Sequence, residues 1–283
     1  MFQDNSLYSL SEMVNEIPVM PLVAEKVIRL MDNPNTTESQ IQAVIELDPS
    51  LALRLLRISN SAFYGYRGQI KNISQSIMVL GFRIIKSIVF SASLRGIYKR
   101  FGMTEKLLWE HSILAGISSR GIAEMAKFPD IEDAYMLGLL HNVGAVIMNN
   151  ERPDEFKKVM HRFSMGNISL LQAEKEVFGF THKDVGVLVV KKWNFPEIYE
   201  KIILYQDTPE FFIKDDPYLY KLTSIVYLSD ILCYKSGIGF GYKMPSGFDL
   251  SFDKTLNGIG LSEDGIFELM KRVNQIYQEE KDW

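Results

Sequence analysis

A single cysteine, Cys233, stands among 283 residues, so no intramolecular disulfide can form and a reducing compartment is expected. Positive charge is not in excess: 31 basic against 35 acidic residues leave a net charge of −4. Such a chain has no broad attraction for nucleic acid. No uncharged apolar run reaches the roughly 20 residues needed to span a bilayer. The opening Met-Phe-Gln-Asp-Asn-Ser lacks a basic segment followed by an apolar one, so no secretory signal is expected. Strand-like alternation is scarce, and neither a repeat of fixed period nor a low-complexity block occurs. These absences predict a cytoplasmic protein that engages neither nucleic acid nor membrane.

What is present is helical signal. With 47% hydrophobic and 23% charged residues, the composition is that of an ordinary globular protein with a substantial core. Helices are predicted over 22–31, from Thr37-Glu38-Ser39-Gln40 (a capping-box pattern) to Leu47, and from Asp48-Pro49 to Ile58. Residues 60–68 read as an ordered turn. Ser74 opens another helical segment, and Gly81 separates it from the run Phe82–Tyr98. That run is rich in β-branched and aromatic residues, but it is too long for a typical strand, and Phe82, Ile85 and Val89 share a helical face. Thr104-Glu105 caps the next helix, which continues to about Lys127. Further helices are predicted over 153–163, 168–178, 182–192, 197–205, from Asp216-Pro217 to about Tyr234, and over 262–278. The stretch Gly237–Gly260 is glycine-rich and predicted irregular. The fold class is all-α.

One stretch stands at the centre. Residues 134–148 are apolar on every side, which marks a buried helix, yet they contain His141 and Asn142. Burying that pair costs free energy unless each finds a hydrogen-bond partner or a metal.

Two long stretches resemble the HDOD family, the HD-related output domain of bacterial signalling proteins. The first is Ile17-Pro18-Val19-Met20-Pro21, through Glu46-Leu47-Asp48-Pro49-Ser50-Leu51, to Ser59-Asn60-Ser61-Ala62-Phe63-Tyr64-Gly65. The second runs from Trp109-Glu110-His111-Ser112 through Leu139-Leu140-His141-Asn142-Val143-Gly144 to Phe178-Gly179-Phe180-Thr181-His182 and Tyr227-Leu228-Ser229-Asp230. The resemblance covers roughly residues 15–235. It implies an HD-like helical bundle with a helical N-terminal subdomain packed on it, used in signal transduction and often without catalysis. The expected organisation is an N-terminal subdomain over 1–103, a degenerate HD-like core over 104–236, and an irregular loop with a terminal helix over 237–283.

The wider HD superfamily includes metal-dependent phosphohydrolases whose ligands are a histidine, a later His-Asp pair and a distant aspartate. His111, His141 and Asp230 match three of those places, and Asn142 replaces the pair's aspartate. The lysine that often follows the glycine is missing at Ala145, and Tyr205-Gln206 stands where many phosphodiesterase members carry a histidine pair. His182 survives at another matching position. Imidazole and carboxylate donors suit manganese, iron or zinc, so His111, His141, His182 and Asp230 are the candidate ligands of a single divalent transition metal. The alternative is a structural polar network of His111, His141, Asn142 and Asp230 that ties helices together, with no cofactor. Losing both the bridging aspartate and the lysine removes two groups that phosphohydrolysis uses to meet transition-state charge. The expected protein is therefore a non-catalytic module acting through protein contacts or small-ligand sensing, with a metal-dependent phosphodiesterase as the alternative.

Three other features carry less. Ser236-Gly237-Ile238-Gly239-Phe240-Gly241 lacks the Gly-Lys-Ser/Thr ending of a phosphate loop and reads as a helix stop. Lys157, Lys158, His161 and Arg162, with Phe156 and Phe163 among them, and Lys183, Lys191 and Lys192, read as solvated faces or a contact patch. Cys233 lies in an apolar helix with nothing to stabilise a thiolate.

Overall fold

The computed structural model describes residues 3–31, 33–61, 64–66, 68–165, 168–239 and 252–280. Among them there are helices and turns but no strand. In chain order the helices are α1 (Gln3–Glu16), α2 (Leu22–Met31), α3 (Glu38–Ile45), α4 (Pro49–Ser59), α5 (Ile73–Leu94), α6 (Met103–Met125), α7 (Ile131–Leu140) and α8 (Val143–Glu151). They continue with α9 (Pro153–Ser164), α10 (Leu170–Phe178), α11 (His182–Lys192), α12 (Glu197–Tyr205), α13 (Pro217–Ser236), α14 (Phe252–Gly258) and α15 (Glu263–Glu280). The all-α expectation holds.

The chain forms two compact units, one of residues 19–98 and 274–283, the other of residues 1–18 and 99–273. In the first, α2, α3 and α4 pack against α5, and Ala24, Val27, Ile41, Ile45, Leu51 and Leu55 are buried. The predicted caps form. Gln40 Oε1 accepts from the Thr37 N–H at 2.8 Å, and Asp48 Oδ1 accepts from Leu51 N–H at 3.0 Å ahead of Pro49. Gly81 sits inside α5 with φ 79°, a left-handed value that a side chain would strain. The break expected there is therefore a sharp kink. The region Ile73–Ile97 is long and apolar enough to cross a membrane by length and composition, and more than half of its most apolar stretch is buried. It carries Arg83, Lys86 and Arg95, and so escapes a search for uncharged runs.

The second unit holds the candidate site. Here α6 packs most extensively on α7 and on α13, and α11 packs on α8 and α12. The side chain of Ser119 on α6 donates to Ser229 on α13 at 2.8 Å, fixing the register of those two helices. Helix α1, which has no clear periodic signal, joins this unit: Lys192 Nζ donates to Ile17 O at 2.8 Å and Trp193 Nε1 to Pro18 O at 2.9 Å.

Three sequence expectations need correction. The central segment 134–148 is two helices: α7 stops at Leu140 and α8 starts at Val143. His141 Nδ1 donates to Gly138 O at 2.6 Å, capping the end of α7, and Asn142 at φ −108°, ψ 18° turns the chain. Gly144 then meets α11 so closely that an added Cβ would lie 1.9 Å from His182 O. Secondly, 237–260 is not irregular throughout, because residues 252–258 form α14, while residues 240–251 lie outside the described residues. Thirdly, α6 begins one residue before Thr104. Its cap is Gly102, whose N–H donates to Glu105 Oε2 at 2.8 Å.

Candidate functional site

Three helices bring the histidine–carboxylate set together. His111 projects from the buried middle of α6, His141 from the end of α7, and Asp230 from α13, whose start is fixed by Asp216 and Pro217. Asp216 Oδ1 accepts from the Tyr218 and Leu219 N–H groups. His111 Nε2 lies 2.9 Å from Asp230 Oδ1 and 3.2 Å from His141 Nε2, and His141 Nε2 lies 3.4 Å from the same Asp230 oxygen. Both histidines are buried, while the Asp230 side chain is 30% exposed. A carbonyl cannot donate, so His141 carries its proton on Nδ1 toward Gly138 O, and its Nε2 faces the cluster as an acceptor. His111 Nε2–H then donates to Asp230.

The electrostatics follow from burial and pairing. Burial holds the His111 pKa below its usual value, although Asp230 opposes this. For Asp230, burial works upward, but its pairing with the histidines, above all the hydrogen bond from His111 Nε2–H, outweighs it and holds the carboxyl below the usual carboxylate range. Burial pushes the Cys233 thiol well up, so it is no nucleophile, as the sequence suggested.

A second cluster lies beside the first. His182, the first residue of α11, has Nδ1 at 2.8 and 2.9 Å from the Glu174 carboxylate oxygens, and Glu174 also accepts from the His182 backbone N–H at 3.0 Å. Burial lowers the pKa of His182, and the Glu174 charge overrides it, leaving a raised value. Gln206 Nε2 lies 3.1 Å from His182 Nε2 and 3.4 Å from Asn142 Oδ1. Asn142 is thus bonded to Gln206, and His182 pairs with Glu174. The set that closes on itself is His111, His141 and Asp230, whose ligand atoms all lie within 4.8 Å of one another.

The triad has the chemistry of a mononuclear cation site. Metal–ligand bonds of ~2.1 Å put neighbouring donors about 3.0–3.4 Å apart, and the His141 Nδ1–H bond to a carbonyl is the support that metal-binding histidines usually have. The second cluster does not suit a second cation. Asn142 and Gln206 are neutral amides bonded to each other, and they bring no charge to offset a dinuclear centre.

Both clusters border a cleft that is partly open to solvent. Phe163, Leu170 and Leu171 form its apolar side, Tyr234 stands next to Asp230 along it, and Lys183 and Asp207 pair across 2.5 Å. Phe156 and Phe163 are buried, so neither belongs to a basic surface patch. Lys157 pairs with Asp154 and Arg162 with Glu176. Gly237 is a left-handed helix stop, as predicted, and Phe240 and Gly241 lie outside the described residues. Glu174 escaped the sequence reading. Its signal was a charged residue on the apolar stripe of Leu170, Ala173 and Phe178.

A helical bundle with a histidine–histidine–aspartate triad at its centre defines an HD-like domain. A model of the HDOD domain matches residues 17–209. The chain belongs to the HDOD family. An uncharacterized protein of Treponema pallidum (strain Nichols) is 26% identical over 190 residues, covering 67% of this chain but only 37% of that protein. The chain thus spans little more than a third of that relative's length. Among solved structures, an HDOD domain protein of unknown function from Geobacter sulfurreducens superposes with a TM-score of 0.77 at 23% identity, covering 97% of this chain and 98% of that one. A Marinobacter aquaeolei structure, provisionally named a signal transduction protein, gives 0.74 at 22% identity over 97% and 65% of the two chains. One from Shewanella amazonensis, provisionally named a phosphohydrolase, gives 0.71 at 19% identity over 96% and 95%.

Proposed function

We propose that this chain is a non-catalytic signal-transduction module of the cytoplasm, without a resident transition metal, that responds to a small ligand in its cleft or to a protein partner. The observation that carries this reading is the Asn142–Gln206 pair. The HD resemblance places the pair's aspartate at Asn142, and many phosphodiesterase members carry a histidine pair where Tyr205-Gln206 stands; here two amides hydrogen-bond to each other instead. Two divalent cations could not be neutralised by such a set. The lysine expected at Ala145 is also absent, and Lys183 at the cleft is already paired with Asp207. The provisional name of the Marinobacter structure supports the signalling part of the reading.

The triad's spacing favours a second reading, a phosphohydrolase with one metal held by His111, His141 and Asp230. A cation there would polarise a phosphoryl oxygen or acidify bound water. Elemental analysis of protein purified without chelator, together with a bis(p-nitrophenyl) phosphate assay with and without manganese, separates the two. The proposal expects well under one equivalent of metal, no turnover, and a melting temperature unmoved by chelator. About one equivalent per chain, with turnover lost in His141→Ala, rejects it.

A further inference from the structure

Directly beside the cleft the chain exposes apolar surface. Gln206 and Asp207 line the cleft, and residues on either side of them turn outward. Leu204, near the end of α12, is 40% exposed. Phe211 and Ile213, in and just after the short 3-10 turn Pro209–Phe212, are each 55% exposed. Backbone bonds from Thr208 N–H to Tyr205 O at 2.9 Å and from Phe211 N–H to Thr208 O at 3.1 Å close the bend that brings two rings together. The Phe211 ring stacks on the Tyr205 ring with centroids 3.9 Å apart, while Phe212 turns inward and meets Tyr205 edge-on. One face of Phe211 is thus taken by Tyr205, and the other is open to solvent.

The charge around this surface is mostly of one sign. Between Glu197 and Asp216 six acidic residues stand against two lysines, an excess as large as that of the whole chain. Lys201 is occupied by Glu197, which leaves Lys214. Glu200 lies one turn before Leu204 on the same face of α12, Glu210 adjoins Phe211, and Asp215 follows Ile213 by two residues. None of these three acids has an ion partner among the described residues. Exposed apolar residues rimmed by polar ones mark interaction surfaces. Nucleic acid and anionic lipid are both repelled by an acidic rim. An extended peptide finds no strand edge to join among the described residues. The occupant that fits is a helix with one apolar face and Lys or Arg beside it.

We propose that Leu204, Tyr205, Phe211 and Ile213 form the docking surface for a cationic amphipathic helix of a partner protein. Its apolar face covers the open side of the Phe211 ring, and its Lys or Arg side chains meet Glu200, Glu210 and Asp215. The inference deepens the protein-partner arm of the reading above and rests on it. Tyr205 adjoins Gln206, which bonds Asn142 and lies 3.1 Å from His182, so the docked helix sits one residue from the amide cluster.

The test uses two designed peptides of equal length, an amphipathic Leu-Lys helix and its Leu-Glu counterpart, titrated into the full chain by fluorescence anisotropy. The Leu-Lys peptide should bind, and the Leu-Glu peptide should bind at least about tenfold more weakly. Phe211→Ser should weaken the Leu-Lys peptide about tenfold. Glu210→Lys combined with Asp215→Lys should weaken it by about the same factor and flatten its salt dependence. Met103→Ser removes an exposed apolar side chain from α6; it should leave binding unchanged and so controls for non-specific adhesion. No binding, equal binding of the two peptides, undiminished affinity in either patch variant, or an equal loss in Met103→Ser overturns the proposal. If Phe211→Ser lowers the melting temperature, the charge-reversal variant and Met103→Ser decide. One equivalent of metal or phosphodiester turnover would sink the non-catalytic reading whether or not the peptide binds, so the two failures are told apart.

Discussion

Glu174, wholly buried on α10, holds His182 twice: its carboxylate lies 2.8 Å from the imidazole Nδ1 and 3.0 Å from the backbone N–H of the same residue. One side chain thereby caps the start of α11 and fixes which ring nitrogen of His182 faces Gln206. The cluster of His182, Gln206 and Asn142 is thus organised from the neighbouring helix.

Glu174→Ala should be strongly destabilising. It leaves a buried histidine without its counter-charge and a backbone N–H without an acceptor, a loss of about 3–5 kcal/mol for breaking a buried pair. Glu174→Gln keeps an acceptor and should lose less. Urea midpoints of the two variants measure this, and an alanine variant as stable as the parent would refute it.

The triad should behave as one network. Asp230→Ala takes the carboxylate partner from His111 Nε2, and a lost partner of this kind costs about 1–3 kcal/mol. His141→Ala should cost a similar amount plus a cavity term. Because the three groups contact one another, the double variant should lose less than the sum of the singles. Strict additivity in a thermal or denaturant cycle would count against the network.

Acid should erase part of the support for α6. Glu105 is buried. Burial alone would raise its pKa, but the Asn149 side chain and the backbone N–H groups, Gly102 among them, lower it below the usual 4.5. A depressed carboxyl contributes stability above its unfolded pKa and loses it as pH falls through the folded one. The stability gap between the parent and Glu105→Gln should therefore be full at neutral pH and shrink as the pH falls below 4.5. Stability curves of the two proteins against pH give the check, and a gap that widens on acidification would contradict it.

Gly144→Ala should prevent proper folding of the site. The added Cβ would lie 1.9 Å from His182 O and 2.7 Å from Gly186 N, both backbone atoms, so no side chain can swing aside. The expected result is a loss of several kcal/mol, or insoluble protein, against the ordinary gain of up to about 1 kcal/mol for alanine over glycine in a helix. A variant as stable as the parent, by thermal unfolding, would show that the helices can separate.

Local chemistry was the legible part of this chain. Asp48-Pro49, Asp216-Pro217 and the Thr37–Gln40 box bond within a few residues of themselves, and the helices begin where those residues say. Gly81 was legible for the same reason. The split at His141 and Asn142 was not, because nothing local forbids a helix there. The turn depends on the His141 ring bonding back to Gly138 and on Gly144 fitting against α11, which is 38 residues further along at His182. The triad was legible through the HDOD resemblance, since no periodicity links His111, His141 and Asp230. Asn142 adjoins His141 in the sequence, yet successive residues at a turn can point to different partners, and Asn142 reaches Gln206. Helix α14 was masked by a glycine-rich composition, and α1 by the lack of a clear apolar stripe.

The meeting of Gly144 with residues 182 and 186 also has a mechanical meaning. Where two helices touch through side chains, rotamer changes absorb small displacements, like a cushion. Here backbone meets backbone, and a close-packed contact of this kind has little give. The head of α11 at His182 and the head of α8, two residues from Asn142, therefore meet with no side chain between them to yield.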